Sequence, residues 1–261
     1  TTVFGYSAEL FLFVCMVVGG LFRFPRAPFH GSLRAWSERS AFPGGWVLPA
    51  WSGLAATFFF TQWVAPVFPQ AAPAFSNLGM GIALLGLFYA AAAAATAPRI
   101  GDWYTAAALV FNAVGFLVIV TSNHQGIPSG PLLSAFGPTA ALAVLLCFPS
   151  AQTAYSDLRA DVGFSLWGRL ALAAALLAVA GFPGSNLSHV LLLKSAPVLQ
   201  ANVEVFLLAA IAWTVFIASL LHWAVALQKP EATAAPTRLP RVALLFIVGA
   251  WALIYLWFGR S

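Results

Sequence analysis

The sequence predicts an all-α integral membrane protein with about eight transmembrane helices, some of them broken near the middle. Two observations carry that prediction. Hydrophobic residues make up 61% of the 261 residues and charged residues only 7%, with a mean hydropathy of +0.90; soluble domains carry about 25% charged residues. The apolar residues also fall in runs close to the roughly 20 needed to cross a bilayer, separated by short clusters of Pro, Gly and polar residues.

The expected spans are residues 8–22, 46–68, 77–97, 103–120, 132–148, 164–182 with a continuation to 194, 203–227 and 241–258. The separators include Pro43-Gly44-Gly45, residues 70–73, 98–101, 122–131 and 229–240, all rich in chain-breaking or turn-forming residues. No linker is long enough to join two folding units, so residues 1–261 read as a single transmembrane domain. Segment 23–45 mixes Phe29, Leu33, Trp36 and Phe42 with Arg34, Glu38 and Arg39. It reads either as a short amphipathic helix in the cytoplasmic interface or as an ordinary basic loop. Residues 228–240 form a second cytoplasmic loop.

Loop charges set the orientation. Arg23, Arg26, Arg34 and Arg39 follow the first span, Arg99 the third, Arg159 the fifth, and Lys229 and Arg238 the seventh, with Arg241 at its edge. The loops after the second and fourth spans carry no Lys or Arg. Both termini are therefore expected outside, in the periplasm if the membrane is a bacterial cytoplasmic (inner) membrane. The first apolar run lacks a preceding basic region and ends in arginines, unlike a cleavable signal. A start at Thr1 fits either removal of an initiator methionine or a piece of a longer chain. The net charge of +5 sits in short loops and does not suggest a nucleic-acid partner. Cys15 and Cys147 both lie in apolar segments and read as packing residues.

The most informative motif is Arg23-Phe24-Pro25-Arg26-Ala27-Pro28-Phe29-His30. Pro25 and Pro28 each lack an N–H and disfavour helix in the residue before them, so they break the helix. A cation beside a broken helix is a device of ion-transport proteins. The stretch resembles the Lys-x-Pro-x-x-Pro-hydrophobic-His motif of the antiporter-like membrane subunits of respiratory complex I, which are related to the Mrp cation/proton antiporters. The likeness continues in order through Trp51-Ser52-Gly53-Leu54, Ala65-Pro66-Val67-Phe68-Pro69, Leu85-Gly86-Leu87-Phe88-Tyr89 and Val114-Gly115-Phe116. It ends at Gly181-Phe182-Pro183-Gly184, similar to the break in a late discontinuous helix of that family. The resemblance implies the second of the two inverted repeats common in such transporters, with the last part of the first.

That family is thought to pass protons along a mid-membrane axis of lysines, histidines and a glutamate. Buried lysines suit this, because desolvation lowers their affinity for a proton. Here the axis is depleted. The family's first lysine corresponds to Arg23, which stays charged and cannot relay a proton by titrating. The next expected lysine falls near Ala56, with Thr57 the nearest polar group, and another near Trp103. The expected histidine falls at Phe136. The broken sixth span keeps Ser185, Asn186, His189 and Lys194, although the family's ionisable residue aligns closer to Leu191. The proton-path candidates are thus His189, Lys194, Glu204 and His222, and the helix-break positions are Arg23, Pro25, Pro28, His30, Pro183 and Gly184. Several of these residues have a plainer role, while His189 is the best single proton-handling candidate. Lys194 and Glu204 read as an ion pair near the outer surface, His222 as a packing histidine deep in its span near Trp213 and Trp223, and His30 as an anchor of the helix break. Arg169 reads as snorkelling to the cytoplasmic surface or pairing with Asp161.

Trp36, Trp46, Trp103, Trp167, Tyr255 and Trp257 fall near expected span ends, as an aromatic belt would. Phe58-Phe59-Phe60 is expected to face lipid or another subunit. The run Ala90 to Ala95 gives a smooth face for close helix packing, between subunits or at the centre.

Three functions follow as expectations. The first is a reduced antiporter-like subunit of a proton-translocating, complex I-like (NADH-quinone oxidoreductase) assembly, mainly structural. The second is an active proton- or cation-conducting half-module beside a separately encoded partner. The third is a scaffold recruited to a pigment- or quinone-binding membrane complex. No metal site and no catalytic residue is expected, and at most the chain is a non-redox subunit of a translocase. No cofactor is expected to belong to the chain itself, with contact to quinone or lipid left open. The partners implied are other membrane subunits and the lipid bilayer.

Overall fold

The structure, a computed structural model, describes residues 2–3, 6–23, 55–56, 58–68, 70–97, 100–121 and 202–226. The chain opens with a minimal antiparallel ladder between β1 (Thr2–Val3) and β2 (Tyr6–Ser7), pairing Thr2 with Ser7 and Val3 with Tyr6. This ladder was not expected. Every other described element is helical: α1 (Ala8–Arg23), a π turn (Phe60–Val64), α2 (Ala65–Val67), α3 (Ala71–Ala74), α4 (Ser76–Ala95), α5 (Ile100–Thr121) and α6 (Val203–Ala226). Among the described residues three helices are long and apolar enough to cross a membrane: Ser76–Ala95, Asp102–Thr121 and Val203–His222. The expected spans 132–148, 164–194 and 241–258 lie outside the described residues.

Local chemistry explains where the helices start and stop. Glu9, Asp102 and Glu204 sit in the first turns of α1, α5 and α6, where a carboxylate complements the positive end of the helix dipole. Asn202 adds a side-chain cap, its Oδ1 accepting the Val205 N–H at 3.2 Å. The stretch from Ala71 into α4 runs on through Phe75, whose N–H donates to the Ala71 carbonyl while its own carbonyl accepts from Gly79. α4 closes with the Thr96 hydroxyl and N–H both donating to the Ala92 carbonyl, two residues before Pro98 in sequence.

The span expected at 46–68 is irregular where it is described. At the π turn the Ala65 N–H donates to the Phe60 carbonyl, five residues back. Pro66 is the cause we assign. A proline offers no N–H to the carbonyl four residues before it, and its ring crowds that carbonyl. Widening the preceding turn relieves the clash without ending the helix.

α5 is the central helix. Across its 18-residue apolar window 94% of the residues are buried within the chain, against 39% for α4 and 28% for α6. A Cβ placed on Gly79, near the start of α4, would lie 3.0 Å from Val120, near the end of α5, so the two helices run antiparallel. Trp103 and Phe111 of α5 meet Ser219 and Trp213 of α6 respectively, so α6 is antiparallel to α5 as well.

Aromatic side chains fill the layers on two sides of α5. On one, Phe13 packs edge-on against Phe60, Phe68 and Phe75, and Phe60 against Phe116 at 5.4 Å. On the other, Trp103 stacks on Phe216, while Phe111 meets Phe216 and Trp213 edge-on. Edge-to-face pairs contribute about 0.5–1.5 kcal/mol each beyond the area they bury. That matters in a bilayer, where lipid is as apolar as leucine and packing has to hold helices together.

Several expectations are corrected here. Trp103 does not sit in an aromatic belt: it is 1% exposed and packed between α5 and α6, because its indole N–H finds a partner there. Of Phe58-Phe59-Phe60 only Phe58 faces outward; Phe60 is in the core and Phe59 packs against it, since successive helical residues point about 100° apart. Cys15 is exposed, and free. Ala90, Ala91 and Ala94 are buried within the chain, so the close approach that they allow is used internally, by α5 and α6 against α4.

Candidate functional site

The sequence candidates are not brought together among the described residues. Pro25, Pro28, His30, Pro183, Gly184, His189 and Lys194 lie outside them. Arg23 is the last residue of α1. Glu204 and His222 are both exposed on α6. They share one face of that helix but lie about five turns, or about 27 Å, apart. That separates them too far for direct proton exchange. His222 is a correction: it is not buried beside Trp213, whose ring is engaged with Phe111 and Phe216.

The buried polar groups lie elsewhere. Thr105, Asn112 and Thr121 on α5 and Ser219 on α6 are the buried polar side chains of the described core. Thr121 is satisfied locally, its hydroxyl reaching the Leu117 carbonyl at 2.8 Å and the Val118 carbonyl at 3.1 Å. Ser219 donates to the Phe216 carbonyl at 2.7 Å and accepts the Trp103 indole N–H at 3.3 Å. This chain of two bonds locks the start of α5 to the latter part of α6.

Asn112 differs. It is 1% exposed, and neither its Nδ2 nor its Oδ1 has a hydrogen-bond partner. It lies about 18 Å from the Ile100 end of α5 and about 14 Å from the Thr121 end, at the middle of the most enclosed helix. A buried amide left unsatisfied costs on the order of 1–3 kcal/mol. Polar residues at such depth are retained for a reason more often than by accident.

Asn112 was not among the sequence candidates, although a signal was present. It is the one amide or charged residue between Trp103 and Thr121. Among the described residues no group of three or more His, Cys, Asp or Glu side chains is placed to hold a metal ion. No family model matches the chain, and no curated protein matches it.

Proposed function

We propose that this chain is a reduced antiporter-like membrane subunit of a larger proton-translocating assembly of the complex I type, and that its own part is mainly structural. The observation that carries the structural role is the chemistry of the described core. Its buried polar side chains, Thr105, Asn112, Thr121 and Ser219, do not titrate in the biological range, so they cannot take up and release protons in turn. The described helices instead present apolar surface outward, with Leu78 and Leu85 on α4, Trp63 in the π turn, and Leu207, Ile211 and Leu221 on α6 all exposed. Such faces suit lipid or neighbouring spans. The antiporter-like assignment rests on the ordered motifs from Arg23 to Gly184.

Mass spectrometry of the complex purified intact from native membranes in mild detergent tests the assignment. Copurification with quinone-oxidoreductase or antiporter-type subunits is expected. Copurification with a pigment-protein complex alone would overturn it. The structural role is tested separately in proteoliposomes. The chain alone is expected to leak protons no faster than empty vesicles. A leak abolished by replacing His189 and Lys194 together would establish the conducting half-module instead.

A further inference from the structure

We draw no further inference here: the strongest candidate, the outward apolar face of α6 around Leu207, Ile211 and Leu221, carries none because nothing in the structure shows what covers it.

Discussion

Trp103 donates its indole N–H to Ser219 across 3.3 Å, and the same hydroxyl donates onward to the Phe216 carbonyl at 2.7 Å. The indole is also stacked on the Phe216 ring, with the planes 9° apart. One buried residue thus binds two helices that the sequence separates by more than eighty positions. Ser219→Ala leaves the indole N–H buried and unpaired, which should cost about 1–2 kcal/mol. Trp103→Phe leaves Ser219 still paired with the Phe216 carbonyl, so its cost comes mainly from lost packing. The double variant should cost less than the sum of the two. Hydrogen bonds between membrane helices couple by about 0.6 kcal/mol on average. Unfolding titrations of the four proteins in one detergent measure this; strict additivity would mean that the 3.3 Å contact contributes nothing.

The Glu9 carboxylate ties α1 to the start of α3 in a different way. Its Oε1 accepts the Gln70 N–H at 2.9 Å and the Ala71 N–H at 3.1 Å. It lies in the first turn of α1 and beside the first turn of α3, so it faces two positive helix ends. Glu9→Ala removes both bonds and should lower stability by about 1–2 kcal/mol. Glu9→Gln keeps an acceptor oxygen but loses the charge, and should cost about half as much. Thermal melts in detergent check the order; equal losses for the two variants would show that charge and not hydrogen bonding dominates.

Two glycines two residues apart on α4 should respond oppositely to a methyl group. A Cβ on Gly79 would meet Val120 at 3.0 Å and the Phe75 ring at 3.1 Å. Both neighbours are buried and cannot retreat, so Gly79→Ala should destabilise by about 1–3 kcal/mol. A Cβ on Gly81 would meet nothing within 4 Å. Gly81→Ala should be neutral or stabilise by up to about 1 kcal/mol, because alanine favours the helix. Melting the two variants side by side decides it.

The helices themselves were legible in the sequence, and the reason is physical. A span needs a long apolar run, so α1, α4, α5 and α6 begin and end within a few residues of the expected 8–22, 77–97, 103–120 and 203–227. Facing was not legible to the same degree. α4, α5 and α6 are all strongly apolar, yet α5 is enclosed and α6 largely open; when every face is apolar, periodicity carries no direction. That is why Trp103 and His222 were placed in each other's kind of environment. Asn112 was hidden for a related reason, since attention to titratable residues passes over an amide that carries no charge. The π turn needed the geometry of Pro66 acting on the residues before it, not merely the presence of a proline.

The outer face of α6 yields the last prediction. Glu204 and His222 mark its two ends, and the exposed side chains between them include Leu207, Leu208, Ile211 and Val215. The polar residues are about 27 Å apart along the axis, close to the roughly 30 Å of a bilayer's hydrocarbon core. The face therefore has the length and the ends of a surface that crosses from one interface to the other. Single cysteines test this in a chain whose Cys15 and Cys147 have been replaced. Glu204→Cys and His222→Cys should each react with a membrane-impermeant thiol reagent from one side only, and from opposite sides. The asymmetry of loop charges leads us to expect Glu204 on the outer side and His222 on the inner. Ile211→Cys, exposed in the structure yet at membrane depth, should react from neither side. Reaction at Ile211 from water would mean that this face lines an aqueous path. Reaction of Glu204 and His222 from the same side would mean that α6 does not cross.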